Sequence, residues 1–141
     1  MLGLNPIGVL AKAAGVKVTT IRYYEGIGLL PTPPRTASDR RLYGEEDARR
    51  LSFIRHAREL GFPIEAIRSL LELSSHPELP CDLADEIVSH QLLVVEAKIA
   101  QLCALREELT RISLACEGGA TGTCRVIEAL ADHGLCSTEH V

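Results

Sequence analysis

The feature that most constrains this chain is a stretch from Cys81 to about Ala115 that contains neither proline nor glycine. The absence of these two residues, together with a helical spacing of apolar side chains, predicts one long α-helix with a coiled-coil seam. At ~1.5 Å per residue this helix is about 50 Å long. A chain of 141 residues leaves only a small remainder to bury such a stripe, so we expect an antiparallel second copy of the helix to cover it. Apolar residues recur along the stripe at steps of three and four: Val88, Leu92, Val95, Ile99, Leu102, Leu105, Leu109 and Ile112.

The segment before this helix predicts a small head of four short helices. Apolar spacing and glycine stops place them at residues 7–14, from about Val18 to Gly26, at 45–60 and at 63–73. The first two are separated by a tight glycine-containing turn, which is typical of a helix-turn-helix whose second helix enters the major groove. In the third helix we expect Leu51, Ile54 and Leu60 to face the core.

A proline-rich segment follows the second helix and closes on Arg40-Arg41-Leu42-Tyr43. This pattern predicts a short basic hairpin, or wing. The charge distribution agrees with a nucleic-acid partner for this end of the chain. Residues 1–60 hold ten Lys and Arg against six Asp and Glu, whereas residues 61–141 hold five against thirteen. A net charge of −4 thus divides into a basic head and an acidic remainder, as expected when one end faces phosphate.

Composition also limits where the protein acts. Hydrophobic residues make up 46% and charged residues 24% of the chain, which is typical of a globular protein. No run approaches the ~18 consecutive apolar residues of a membrane span, and residues 1–5 carry no basic run of a signal peptide. We therefore expect a cytoplasmic protein with no membrane partner. In that reducing compartment the five cysteines are expected to be thiols or metal ligands.

Three segments together resemble the MerR family of transcriptional regulators: IGVLAKAAGVKVTTIRYYEGIGLL, RRLYGEED and RHARELGFPIEAIRSLL. The resemblance runs from about Ile7 to about Ala131. It implies a mainly α fold with a winged helix-turn-helix DNA-binding head (residues 1–75), a long antiparallel dimerisation helix (81–115) and a C-terminal metal-binding loop with a short helix and tail (116–141). It also implies a homodimer that binds promoter DNA and acts on RNA polymerase there, activating metal-resistance genes by distorting the DNA when metal binds.

The positions that this family uses against DNA carry over to five residues of this chain. Arg22 and Tyr24 fall in the recognition helix, Arg41 and Tyr43 in the wing, and Arg58 in the helix that follows. Guanidinium groups suit phosphates and base edges. Asp39-Arg40 departs from the Gly-aromatic pair common in wings of the family, which leaves the contacts of this wing open.

The cysteines form the second candidate site. Cys116 and Cys124 flank a glycine-rich loop, so both thiolates can converge on one ion, and Cys81 lies at the start of the long helix. In an antiparallel dimer the start of one helix lies beside the end of the other. We therefore expect Cys81 of one protomer to complete a site formed by Cys116 and Cys124 of its partner, as in the metal sensors that the chain resembles. A tail site formed by His133, Cys136 and His140 stays open.

Three thiolates select soft cations, which leaves Hg²⁺, Cd²⁺, Pb²⁺ and Zn²⁺. In the family, copper sensors bind Cu⁺ with the two loop cysteines and carry a non-thiol residue at the position of Cys81, so a cysteine there favours a divalent ion. A Cu⁺-responsive regulator of the same family stays an alternative. The sequence shows no catalytic triad, phosphate loop or paired carboxylates, so we do not expect an enzyme. Two alternatives remain: a metal-independent architectural DNA-binding protein and a thiol metal buffer.

Overall fold

The computed structural model describes residues 3–116 and 118–132. They form a mainly helical fold without named strands in those two ranges. The chain divides between Ile87 and Val88 into two compact units. The helices are α1 (Ile7–Ala14), α2 (Val18–Gly26), α3 (Glu45–Glu59), α4 (Ile64–Ser74), α5 (Asp82–Leu114) and α6 (Arg125–Ala131), with a 3₁₀ turn at Thr121–Thr123.

Backbone conformation explains where the head helices end. Gly15 follows α1 with φ of 69° and Gly61 follows α3 with φ of 84°. Both lie in the left-handed region, which glycine adopts without the penalty that a Cβ atom brings. Pro63 precedes α4 with an extended backbone, where its missing N–H costs no helical hydrogen bond. The predicted helix boundaries are confirmed to within a residue or two.

The core of the head forms where α1 packs on α2 and α3, and α4 packs on α3. Its fully buried side chains include Ile21, Leu51, Ile54 and Ile67. Leu60 is an exception to the expected pattern, because it is 66% exposed. The chain reverses at Gly61, and Phe62 takes the buried position instead.

A short hairpin connects α2 to α3. Arg35 and Arg41 form an antiparallel bridge, and Asp39 at the tip has a positive φ of 60°. Asn5 and Tyr43 exchange two backbone hydrogen bonds, at 2.9 and 2.7 Å, which fix the returning arm to the segment before α1. The predicted wing is therefore present as a hairpin joined to the head.

The second unit contains most of α5, the loop and α6. The full α5 helix has 33 residues, and most of its predicted seam is exposed to solvent, from Val88 to Leu109. Near the end of the helix, Ile112 is buried, as is Ala129 on α6. Glu108 is also buried and pairs with Arg111.

The α5 helix also has the length and composition that a membrane span requires. Among the described residues it alone contains an 18-residue window with a mean hydropathy of 1.2, and 6% of that window is buried. Its apolar residues follow a stripe, and Glu96 and Lys98 interrupt the middle of the helix. Charges at that depth are unfavourable in a bilayer.

Candidate functional sites

The exposed face of α2 is flanked on one side by a basic cleft of about 300 Å³. Arg22 projects into it from α2, and Arg41 projects into it from the wing. The structure thus brings together two residues that the sequence assigned to DNA contact. The remaining lining residues are Pro6, Ile7, Glu25, Arg35, Arg40 and Tyr43.

Arg35 and Arg40 are two cleft residues that the sequence did not single out as contacts. They lie on opposite arms of the wing, where Thr36 N–H donates to the Arg40 carbonyl. The Arg35 guanidinium lies 3.4 Å from the Asp39 carboxylate and donates to the Asp39 carbonyl at 3.2 Å. Hairpin pairing across the wing is the signal that could have identified Arg35, since it aligns position 35 with position 41.

A second cleft, of about 270 Å³, lies on the other side of α2 and contains hydroxyl groups. Thr19, Thr20 and Tyr23 line it together with Arg58 from α3 and Ile64 from α4. Tyr23 is 56% exposed. Hydroxyl and guanidinium donors on one surface suit a phosphate oxygen. The recognition helix is therefore bordered by a polar cleft on each side.

The two tyrosines expected at the DNA surface are buried instead. Tyr24 is 8% and Tyr43 2% exposed. The Tyr43 hydroxyl donates to Glu25 Oε1 at 2.9 Å. Burial of the phenol, followed by this hydrogen bond, raises the pKa of Tyr43 to about 12. Both rings therefore pack in the head, and Tyr23 is the tyrosine that α2 presents outward.

Several arginines of the head bond to backbone carbonyl groups at the ends of helices. Arg50 donates to the Leu29 carbonyl at 2.8 Å, and Arg68 to the Ile27 carbonyl at 2.9 Å. These bonds satisfy carbonyls at and just after the C-cap of α2, where no helical hydrogen bond pairs them. The same interaction is made by Arg55 with Ala14 and by Arg58 with Phe62.

The loop after α5 carries two of the three predicted metal ligands, one at each end. Cys116 lies two residues after the end of α5, and Cys124 directly precedes α6. The pKa of the Cys124 thiol is lowered by the backbone amides of Ile127 and Val126, and then by the thiol of Cys116. Gly118 and Gly119, with φ of 78° and 96°, allow the loop to turn between them. Thiolate sulfurs are suitable ligands for a soft cation.

Cys81 lies outside this loop and immediately precedes α5. Its carbonyl accepts from Asp85 N–H at 2.9 Å, and its side chain is exposed. Within residues 3–116 and 118–132 of one chain, no three His, Cys, Asp or Glu side chains form a group that could hold a metal ion. Cys103 is partly buried on α5, and the tail residues His133, Cys136 and His140 lie outside the described residues.

Comparison with known proteins identifies the fold and the family. The family described as "MerR HTH family regulatory protein" matches residues 6–74, and "MerR, DNA binding" matches residues 48–112. The HTH-type transcriptional regulator ZntR of Escherichia coli K12 is 46% identical over 127 residues, covering 88% of this chain and 90% of that protein. The chain belongs to the MerR family of transcriptional regulators.

Two further relatives are named for metals. The mercuric resistance operon regulatory protein of Serratia marcescens is 40% identical over 110 residues, covering 78% of this chain and 75% of that protein. The crystal structure of the regulator PbrR691 from Ralstonia metallidurans CH34 in complex with Lead(II) is 36% identical, covers 89% of this chain and 98% of that one, and has a TM-score of 0.78. The chain thus resembles the heavy-metal-responsive members of the family. Members of the family are regulators, so the prediction that the chain is not an enzyme is confirmed.

Proposed function

We propose that this protein is a cytoplasmic regulator that binds promoter DNA as a homodimer and activates RNA polymerase at metal-resistance genes in response to Hg²⁺, Cd²⁺, Pb²⁺ or Zn²⁺. The observation that carries the metal response is the placement of Cys116 and Cys124 at the two ends of a loop that turns at Gly118 and Gly119. Relatives named for mercuric resistance and bound to lead support the same class of ion.

The third ligand in this proposal is Cys81 of the partner protomer. A helix of 33 residues is ~50 Å long, so Cys81 and the loop lie at opposite ends of α5. An antiparallel copy brings the start of one helix beside the end of the other. The exposed seam from Val88 to Leu109 supports such a copy, because a stripe of this kind needs a partner helix.

A bound soft ion supplies strong sulfur bonds that join the loop of one protomer to the start of its partner's long helix. Cys116 and Cys124 hold the loop side and Cys81 holds the helix side, next to the segment that leads into the partner's head. Coordination therefore favours one arrangement of the two heads over another. A difference of a few kcal/mol between the binding free energies of the ion in the two arrangements is typical of such couplings. Because both arrangements can hold the promoter, we expect the switch to change DNA shape while the protein stays bound.

Mixing two defective variants tests whether the site is shared. Cys81→Ser and the double variant Cys116→Ser/Cys124→Ser should each lose tight binding of Hg²⁺ or Cd²⁺, measured by thiolate-to-metal absorption. In a mixed dimer, Cys81 of the double variant can meet the intact loop of the Cys81→Ser chain. Metal binding should therefore return after the two proteins are unfolded and refolded together. Failure to return would exclude the cross-protomer site.

Transcription in vitro then separates this function from its alternatives. Each of Cys81→Ser, Cys116→Ser and Cys124→Ser should keep DNA binding yet lose metal-induced transcription, while Cys103→Ser remains inducible. Cu⁺ serves as the competing inducer. A Cys81→Ser protein that responds fully to Cu⁺ would favour a two-thiolate copper sensor. Sequence-specific binding without any metal response would favour the architectural protein, and metal binding without a sequence preference would favour the buffer.

For the DNA interface we propose that Arg22 and Arg41 contact the duplex from the basic cleft, with Arg35 and Arg40 beside them. Arg58 contributes from the second cleft. Tyr24 and Tyr43 act by packing behind this surface, because their rings are buried.

Salt dependence tests the DNA assignment. Arg22→Ala and Arg41→Ala should weaken binding and reduce the dependence of log K on log salt by about one unit each. Arg125→Ala, which removes an exposed arginine from α6 in the other unit, is the matched control. Slopes equal to that of the control would remove Arg22 or Arg41 from the interface.

A further inference from the structure

The carboxylate of Glu25 connects the two elements that form the basic cleft. Glu25 lies in the last turn of α2, and its Oε1 accepts the Tyr43 hydroxyl at 2.9 Å. Tyr43 is buried and ends the returning arm of the wing, where it exchanges two backbone hydrogen bonds with Asn5. One side chain therefore links the recognition helix to the wing.

The second oxygen of this carboxylate has no partner. Glu25 Oε2 is buried, and among the described residues it accepts no hydrogen bond. A buried carboxylate oxygen without a donor is unfavourable, since it has lost water and gained nothing in return. The carboxylate is also negatively charged and lies on a surface that we propose binds DNA phosphates. A carboxylate without a binding partner there would weaken DNA binding.

Suitable donors lie in the same cleft. Arg22 and Glu25 both line it, and they are three positions apart on α2, a spacing that makes side chains neighbours on a helix surface. A guanidinium carries five N–H donors in a planar fork, so one edge can bind a carboxylate while the other faces DNA.

We propose that Glu25 is a positioning residue for DNA recognition: Oε1 holds the wing through Tyr43, and Oε2 accepts the Arg22 guanidinium when a duplex fills the cleft. The carboxylate then orients Arg22 toward the duplex and fixes its distance from Arg41. This inference rests on the proposed DNA interface and adds to it a residue that itself bears the wrong charge to attract DNA.

The direction in which one substitution changes DNA affinity distinguishes a positioning role from a purely electrostatic one. Glu25→Gln is nearly isosteric and can still accept the Tyr43 hydroxyl, but it replaces Oε2 with an NH₂ donor, which cannot accept from Arg22. Charge alone predicts that the variant binds all DNA more tightly. A positioning role predicts about tenfold weaker binding, which is the size of one lost oriented contact. The duplex for this measurement is the one that wild-type protein enriches from a random pool. Binding to a scrambled duplex should be unchanged or tighter.

Two further variants complete the experiment, which uses fluorescence anisotropy on both duplexes. Tyr43→Phe keeps the carboxylate but removes its hydrogen bond to the wing, so it should also weaken selective binding, and combining it with Glu25→Gln should cost less than the sum of the two. Glu72→Gln removes the same charge from an exposed position on α4 and should match wild type on both duplexes. Thermal unfolding of each variant checks that the head is folded.

The outcomes distinguish failure of this inference from failure of the proposed DNA interface. If wild type enriches no duplex, or Arg22→Ala binds as wild type does, the proposed interface fails and this inference is overturned with it. If those controls hold, and Glu25→Gln binds the enriched duplex as tightly as Glu72→Gln, the positioning role alone is refuted. Exact additivity of Glu25→Gln and Tyr43→Phe would likewise refute it, because the two residues would then act independently.

Discussion

Removing the Tyr43 hydroxyl should change how the stability of the head depends on pH. Burial and the hydrogen bond to Glu25 raise the pKa of this phenol to about 12, above its ordinary value of 10.0. Below the ordinary value both the folded and unfolded chains keep the proton, so the full stabilisation is present. As the pH rises further, the unfolded chain ionises first, and stability falls until the folded-state pKa is reached.

The magnitude follows from the linkage relation. One pKa unit corresponds to 1.36 kcal/mol. Integration from about pH 9 to about pH 11 predicts that wild type loses about 1.3 kcal/mol of unfolding free energy through this group. Tyr43→Phe has no such group, so its stability should fall by that much less over the same interval. At neutral pH the variant should be less stable by about 1 to 3 kcal/mol, because Glu25 loses its hydrogen-bond donor.

Urea unfolding of both proteins at matched pH values measures this difference. Lysine and cysteine titrations are common to the two proteins and cancel in the comparison. Phenolate absorbance offers an independent reading, since a step near pH 12 should be present in wild type and absent from Tyr43→Phe. Parallel stability profiles for the two proteins would show that the phenol is not held by Glu25 in solution, and the link between α2 and the wing would be wrong.

Three other substitutions test separate parts of the structure. Gly15→Ala should destabilise the head by about 2 kcal/mol in urea, because a Cβ at φ of 69° is strained and would lie 2.9 Å from Arg55 Nη1. Val95→Glu should give monomers in sedimentation and lose DNA binding, since a palindromic site needs two linked heads. Asp39→Gly should relieve the positive φ and tighten DNA binding at low salt, because it frees Arg35 from a carboxylate 3.4 Å away; unchanged affinity would leave Asp39 without that role.

Local signals explain why the helices and the loop were predictable. Gly15 and Gly61 end helices in a conformation that glycine favours, and that choice is visible in the sequence. The glycines between Cys116 and Cys124 also predicted a loop there, and Gly118 and Gly119 turn it with positive φ; that the two cysteines hold a metal stays a prediction. The prediction that Leu60 faces the core was wrong, because the helical periodicity of the sequence continues to the point where the chain turns at Gly61.

The functions of individual side chains were harder to predict because they depend on distant partners. Arg50 and Arg22 are equally basic in the sequence, yet Arg50 bonds a carbonyl 21 positions away while Arg22 faces an open cleft. Tyr23 and Tyr24 are neighbours, and only the packing of α2 decides which ring is buried. The role that we propose for Cys81 involves a second chain, so it stays a prediction.

The exposed seam of α5 also affects how this protein behaves when it is scarce. Burial of that stripe against a second chain would add association free energy to the folding free energy, so the unfolding midpoint should rise with protein concentration. A newly made subunit would present leucine, valine and isoleucine side chains to every other surface it meets until it finds its copy. The number of copies in the cell would then set the survival of new subunits as well as promoter occupancy. At low copy number, degradation and aggregation would compete with dimerisation for each new subunit.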